Sequence, residues 1–462
     1  MNDADVRLFD HIWSRLPGAE RAPQVVFAGP VRVLPSVYDV SALAAATVAA
    51  ATASVASLWA VRQGGAAPPP VHVDRVHASV AFRSERYLEA LGWNLPAVWD
   101  PIAGDYRTSD GWIRLHTNYA YHRDAVLRVL GAEASREAVG RAVGGWKAED
   151  LEAAVVAEGG CAARSRSAAE WRRHSQGMAV AEAPLFDVVS ARSEGLDLTG
   201  ASGAPLAGVR VLDLTRVVAG PVCTRVLAAY GADVLRVDPR GFQEVDALLP
   251  EMTVGKRRAF LDLKQDADRR TFEGLLAAAH VLVHGYRSDA LERLGLGQER
   301  RRSINPSLVD ISLDAYGFTG PWAGRRGFDS LVQMTAGIAD RGREAMGADR
   351  PVPLPAQALD HGCGYLLAAA ACHGLVRRMV HREASAARLS LARVAKLLTD
   401  LTEGGDIRGP ELGAADVDRF RERADTALGP VRRVRCPGRV EGFEPRWTRA
   451  AGPLGVDAPS WG

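Results

Sequence analysis

The sequence predicts an α/β protein built on a doubly wound, mostly parallel, Rossmann-like sheet, with a smaller α/β domain and Ala-rich helices beside it. Three observations predict this. From residue 209 onward, short β-branched runs alternate with helix-length stretches, the pattern of successive βαβ units. The runs at 209–214 and 232–237 are apolar almost throughout instead of alternating, which suits strands covered on both faces. Two Ala-rich stretches, within 40–61 and 354–379, have helical length, and the first is almost uncharged.

Taken in order, residues 6–16 read as a short helix, followed by a loop through Pro23. Residues 34–39, LPSVYD, open the first Ala-rich stretch. Its length would allow a membrane span, but Ala, Ser and Thr dominate it and large apolar residues are few, so a buried helix is expected. A Gly/Pro loop at 64–70 ends it. Residues 71–81 alternate well enough for a strand, entering a helix through 87–91. Asp110-Gly111 marks a turn, with a strand expected at 112–116 and a helix at 118–130 closed by Gly131. Residues 148–157 and 168–174 read as further helices.

Residues 190–207 are rich in Gly, Ser and Ala and read as a linker. Beyond it, Ala219-Gly220-Pro221 ends the first strand and opens a helix that Gly231 closes. A tight turn at a helix N-terminus can receive a phosphate. The chain has no GxGxxG and no GxxxxGK[ST], so a nicotinamide or ATP site is not indicated. A basic turn and strand at 253–263, a helix at 266–279, a strand at 280–285, a helix at 289–294 and a strand at 308–313 continue the alternation. The segments 34–62 and 354–379 match: Leu-Pro, an Asp five or six residues later, then an Ala-rich helix ending near Arg, which reads as a partial internal repeat. The expected organisation is an N-terminal Asp-helix unit (1–100), a small α/β domain (101–189), a linker (190–207), a Rossmann-like domain (208–400) and a C-terminal tail (401–462). Within the tail region, Arg and Gly content makes 403–427 read as mobile.

Composition narrows the function. The 462 residues suffice for two or three domains, and 57 Lys plus Arg against 55 Asp plus Glu leave a net charge of +2. That balance gives no electrostatic case for nucleic acid or a membrane surface. The five cysteines are scattered without C-x-x-C spacing, which fits reduced thiols in a cytoplasm and argues against a zinc site.

The wording of the first βαβ unit is more specific than its pattern. LDLTRVVAGP (212–221) followed by LAAYGADVLRVD (227–238) resembles the opening of the family III CoA-transferases, the group that includes formyl-CoA and carnitine CoA-transferases and the α-methylacyl-CoA racemases. The resemblance continues to about Ala392, and the stretch with Asp110-Gly111, a helix ending in Leu130-Gly131 and Glu170-Trp171 resembles the family's small domain, here in an unusual order. It implies the doubly wound fold and an enzyme moving CoA between an acyl-CoA and a carboxylic acid. It also implies coenzyme A as part of the substrate, no metal, and an interlocked homodimer. The alternatives left open are an acyl-CoA racemase or isomerase and a non-catalytic CoA-binding subunit.

By the same resemblance Asp360 matches the family's covalent nucleophile, with Gly362 and Gly364 letting the backbone approach the thioester. The residues alone allow Asp360 to be only a helix N-cap. Asp39, the corresponding residue of the first copy, is followed by Val40 and Ser41 instead of glycines and reads as a cap. Val217, Ala219, Lys256, Tyr286 and Arg293 match CoA-contacting positions, and Arg240 sits one place beyond the family's adenine-side Arg. Lys256, Arg257 and Arg293 are expected to pair with phosphates or to form a solvated basic face. In Gly327-Phe328-Asp329, Phe328 stands where the racemases carry an acid/base His, and Asp329 is a possible support of the site. Val218 and Gly285 replace polar residues of some members, and no Gly-rich lid is visible.

Overall fold

The structure is a computed structural model and describes all residues except 1–2, 20–21, 66, 199–202, 287–288, 403–404 and 410. The N-terminal unit opens with the helix Ala4–Trp13, where a helix over 6–16 was expected, and is built on β1 (Val25–Ala28), α1 (Val40–Arg62) and β2 (Val71–Asp74), with β1 and β2 parallel and Val25 opposite Val71. Helix α1 begins at Asp39, whose carboxylate accepts the N–H of Ala42 at 2.8 Å. It is the one helix among the described residues with the length and apolarity of a membrane span, yet 94% of its most apolar window is buried inside the protein. The expectation of a strand over 71–81 fails at Asp74: its Oδ1 accepts the N–H groups of Val76 and His77 and turns 75–81 into a helix. The short helix α2 (Ser84–Tyr87) follows, and 89–90 is a strand where a helix was expected.

The small domain is a three-stranded antiparallel sheet (Gly104–Arg107, Trp112–Leu115, Ala162–Arg164) backed by α3 (Ala120–Leu130) and the helices Arg136–Gly144 and Ala148–Ala157. Its core is Ile113, Leu115, Val126, Val139, Leu151 and Val155. Gly131 closes α3 at φ 57°, the left-handed conformation a C-terminal glycine supplies.

The large sheet has seven strands. They are β3 (Asp187–Arg192), β4 (Arg210–Leu214), β5 (Asp233–Asp238), β6 (Lys256–Phe260), β7 (Val281–His284), β8 (Val309–Asp314) and β9 (Glu383–Ser390). Their order is β6-β5-β4-β7-β8-β9-β3, all parallel except β3, which runs antiparallel to β9. The winding reverses between β4 and β7, so the carboxyl ends of these two strands form the topological switch point. On one face lie α4 (Ala219–Ala229), which joins β4 to β5, and α6 (Ala358–His381), which joins β8 to β9. Here Val211, Val283 and Ile311 enter the main core. On the other face Leu212, Leu235 and Leu282 meet Phe272 and Leu276 of the helix Asp266–Ala277. The helix α5 (Asp329–Thr335) precedes α6, and α7 (Leu391–Leu401) follows β9.

The expected linker is corrected at its start, because 190–192 belong to the edge strand β3; 199–202 lie outside the described residues. The segment 403–427, read as mobile, contains the helix Ala414–Asp418 and the strand Arg421–Ala424, with 403–404 and 410 outside the described residues. The chain path β8, α6, β9 with an antiparallel β3 at its edge has a shorter counterpart in β1, α1, β2 with the antiparallel strand Arg439–Val440. Helices α1 and α6 pack along one another through their Ala-rich faces.

Candidate active site

The switch point opens into a cavity of about 290 Å³. Its sheet-side wall is the turn 215–219 after β4, Gly285 and Tyr286 after β7, and Leu313 to Ala315 at the end of β8. The small domain supplies the opposite wall with Tyr119, Tyr121 and His122, and the loop before α5 adds Arg325 to Phe328. Asp360 is part of the lining.

Asp360 lies in the first turn of α6 and is 8% exposed. It is not the cap of that helix, which starts after Gln357. The capping role falls to Asp329 of α5: its Oδ2 accepts the N–H groups of Leu359 and Asp360 at 2.8 and 3.1 Å, and its Oδ1 accepts the Gln333 amide. Asp329 is fully buried beneath the site, so it is no surface carboxylate. Burial pushes the Asp360 carboxyl well above the usual range, and the charges of Asp329 and Glu85 push it the same way. Burial also raises Asp329, to about 6, against the hydrogen bonds it accepts from the Asp360 N–H and Gln333. The positive end of α6 opposes these effects at Asp360.

The turn after β4 is shaped by two features. Val217 has φ 64°, a left-handed backbone that a β-branched residue rarely adopts, and such strain concentrates at functional sites. A Cβ on Gly220 would lie 2.2 Å from the Thr215 side chain, so the turn closes only with glycine there. Beneath it is a buried polar network. Asp213 accepts from the Thr215 and Thr224 hydroxyls and from Lys256 Nζ at 2.9 Å, and Lys256 also donates to the Pro221 carbonyl at 3.2 Å. The N–H groups of Ala219 and Gly220, at the open end of α4, make no hydrogen bond among the described residues. Of the two, Ala219 lines the cavity, and unpaired N–H groups at a helix start are of the kind that can donate to a developing oxyanion.

Several expectations are corrected. Lys256 is 1% exposed and bound to Asp213, so it braces the turn and does not reach the cavity; burial lowers its ammonium to about 8, partly offset by Asp213. Arg257 is likewise occupied, with Asp233 and the Ser460 carbonyl. The Arg293 side chain is 69% exposed and pairs with Asp289, outside the cavity. Arg240 is exposed in the loop after β5 and lines neither this cavity nor its neighbour. Gly362 and Gly364 serve helix packing: a Cβ on Gly364 would meet the Ala219 carbonyl oxygen at 2.6 Å, and one on Gly362 would meet Val394 at 3.3 Å and Leu43 at 3.5 Å. Asp39 caps α1 and is no part of the cavity. Val217, Ala219, Tyr286 and Asp360 do come together.

A second cavity of about 220 Å³ continues from the first along the ends of β4, β5 and β6, sharing Leu214, Arg216, Tyr286 and Ala290. Val237, Pro239, Leu261 and Leu263 make it largely apolar. Sequence reasoning missed Arg216, whose guanidinium lies 3.4 Å above the Phe242 ring and 5.0 Å from that of Tyr286. The signal was its place in the middle of LDLTRVVAGP. It also missed Tyr119, Tyr121 and His122, although the run NYAYH at a helix start displayed them. The Tyr119 hydroxyl donates to Glu244 at 3.0 Å and ties the small domain to the sheet. His122 contacts the Cys161 thiol at 3.4 Å, and burial, helped by the Arg326 charge, lowers its pKa to about 3, so it is neutral at pH 7. Phe328 stacks on His116 with ring centroids 3.7 Å apart.

The sequence model of one protein family, described as CoA-transferase family III, matches residues 206–455. Among curated proteins, the chain is 33% identical over 178 residues to an acetyl-coenzyme A transferase, nodX, of Hypoxylon pulicicidum, covering 38% of this chain and 30% of that one. It is 32% identical over 204 residues to the probable fatty acyl-CoA transferase Rv3272 of Mycobacterium tuberculosis, covering 41% and 51%. It is also 32% identical over 187 residues to the formyl-CoA:oxalate CoA-transferase of Rhodopseudomonas palustris, covering 38% and 43%. The chain thus spans about half the length, or less, of the curated relatives it matches. A crystal structure of Rv3272 aligns over 42% of this chain and 55% of its own at 31% identity and a TM-score of 0.38.

Proposed function

The chain belongs to CoA-transferase family III, and from that premise we propose that it moves coenzyme A from an acyl-CoA to a carboxylic acid through Asp360. The observation that carries the proposal is the lining of the switch-point cavity, where Asp360 and Ala219, the first residue of α4, belong to one site. In the proposed reaction the Asp360 carboxylate attacks the thioester carbonyl and CoA leaves as thiolate, forming a mixed anhydride. The thiolate then attacks the Asp360 carbonyl and expels the first acid as its carboxylate, leaving an aspartyl-CoA thioester. An acceptor carboxylate attacks that thioester and expels CoA as thiolate, forming a second mixed anhydride; the thiolate attacks the acceptor's carbonyl and expels the Asp360 carboxylate, giving the new acyl-CoA. Covalent catalysis of this kind replaces one difficult exchange by easier steps.

In this reading the nucleotide end of CoA occupies the second cavity, with Arg216 as the cation that Lys256 and Arg293 were expected to provide. Val217, Ala219 and Tyr286 flank the pantetheine arm, and Tyr121, His122 and Phe328 surround the acyl group. Phe328 carries no transferable proton, which favours transfer over racemisation. The relatives named as CoA-transferases support the activity; the acyl donor and acceptor, a homodimer and a cytoplasmic setting stand as parts of the proposal. The test is to incubate the protein with an acyl-CoA and a series of free carboxylic acids and follow new acyl-CoA by chromatography. Formation of the acceptor's CoA ester without net hydrolysis is expected; hydrolysis alone, or no reaction across the series, would overturn it.

A further inference from the structure

Next to Asp360, and outside the lining of the cavity, stands a pair with no place in the reaction above. His361, the next residue of α6, places Nε2 2.9 Å from Oε2 of Glu85 on α2, and the two side chains are 0% and 6% exposed. His361 also stacks on Phe82, with centroids 5.4 Å apart, and Phe82 stacks on Tyr365. The other ring nitrogen of His361 and the other oxygen of Glu85 are buried without a hydrogen-bond partner among the described residues. The contact between them is therefore the principal polar tie of each side chain.

The charges around this pair explain why it matters. The first turn of α6 is surrounded by three buried carboxyls: Asp360 itself, Asp329 of α5 and Glu85 of α2. The nearby cations are otherwise engaged. Arg225 of α4 closes on Glu251 and donates to the Ser84 hydroxyl, and Arg86 donates to the Pro355 carbonyl at the exposed side of α2. Arg325 is held by Glu152, and Arg326 by the Gly159 carbonyl. Among the described residues, His361 is the side chain hydrogen-bonded to Glu85 that can carry a positive charge, and the Arg86 charge acts on Glu85 more weakly. An unbalanced buried charge acts strongly on its neighbours because little water screens it.

We infer that Glu85 and His361 form a positioning pair, in which the hydrogen bond from His361 offsets the buried charge of Glu85 and so limits its opposition to Asp360 standing as a carboxylate in the cavity. This rests on the transferase reading and adds to it two positioning residues, one of them from the N-terminal unit. Glu85 responds in the direction the inference requires: burial raises its carboxyl, but the charge and hydrogen bond of His361, together with its own backbone N–H and the Arg86 charge, leave it lowered.

The test is a double-mutant cycle read as a pH profile. Parent, His361→Gln, Glu85→Gln and the double variant are incubated with acetyl-CoA or succinyl-CoA across roughly pH 4 to 9, about one unit beyond each side of the usual stability maximum, and the CoA adduct on the protein is measured by intact mass. His361→Gln leaves Glu85 unbalanced, so the acid limb of adduct formation moves up by about one pH unit or more. Removing Glu85 as well should return the limb toward the parent, although the double variant has lost more native contacts. A purely structural role predicts the reverse, a double variant at least as impaired as His361→Gln. That result, or an unmoved limb in His361→Gln, overturns the inference while the adduct in the parent stands. Absence of an adduct in the parent overturns the transferase reading and this inference with it. If His361→Gln does not fold, by circular dichroism and melting, His361→Asn takes its place in the same cycle.

Discussion

Asp329 closes the helix that carries Asp360, its Oδ2 accepting the Leu359 and Asp360 N–H groups at 2.8 and 3.1 Å. One carboxylate therefore fixes the backbone of the other while its charge opposes the other's ionisation. Replacing Asp329 by Asn keeps an acceptor and removes the charge. The Asp360 carboxyl should then titrate lower, and the acid limb of adduct formation should move to lower pH. The stability effect has a defined sign. Asp329 is raised in the folded state to about 6 from an ordinary value near 3.8, so its contribution is fully present below about pH 4 and is lost as pH rises through 6. Melting of Asp329→Asn relative to the parent should therefore improve as pH rises across that window, and a difference that does not vary with pH would count against the assignment.

Two cations should separate cleanly. Arg216→Ala is expected to weaken CoA binding by roughly ten- to a hundredfold, the loss of one charge-assisted contact, with little change in melting. Lys256→Met should instead destabilise the fold by about 3–5 kcal/mol, because it leaves Asp213 buried without its counter-ion. Calorimetric titration with CoA and thermal melting on both variants check this, and the opposite pattern would restore Lys256 as the ligand.

Gly364→Ala puts a methyl group 2.6 Å from the Ala219 carbonyl oxygen and 2.7 Å from Val222. Helices α4 and α6 must then separate, at about 1–3 kcal/mol of stability, and the turn that opens on the cavity should shift with them. Gly362→Ala meets side chains at 3.3 and 3.5 Å and should be milder. Melting and adduct formation on the two variants rank them.

No α-proton exchange is expected with a 2-methylacyl-CoA in deuterated water. Phe328, which carries no transferable proton, lines the cavity and is stacked on His116. His122 is held to Cys161. Rapid deuterium uptake seen by mass spectrometry would favour the racemase reading, and its loss in His122→Ala would identify the group responsible.

Much of the sheet was legible because β4, β5 and β7 are mostly apolar and buried on both faces, while β8, VDISLD, alternates apolar and polar residues. Strand β9, EASAARLS, escaped: its buried Ala384, Ala386 and Ala387 are too small to register as a hydrophobic run, and its partners are β8 and the distant β3. The strand expected over 71–81 failed because one cap at Asp74 outweighs alternation. Within the site, Val217, Ala219 and Asp360, singled out by their sequence motifs, line one cavity. Lys256 was misread because its partner Asp213 lies 43 residues away and only the fold reveals the burial. Tyr119 and His122 reach the cavity by domain packing, which no local pattern encodes.

The two acidic copies decide the account. Asp39 is a cap, bonded to the Ala42 N–H, whereas Asp360 lines the cavity. The direct measurement is intact mass and peptide mapping after incubation with an acyl-CoA, on the parent, Asp360→Ala and Asp39→Ala. The account predicts a CoA thioester adduct mapped to Asp360 in the parent and none in Asp360→Ala. Asp39→Ala should form the adduct and lose only about 1 kcal/mol of stability. An adduct that persists in Asp360→Ala, or one that disappears in a folded Asp39→Ala, would contradict it.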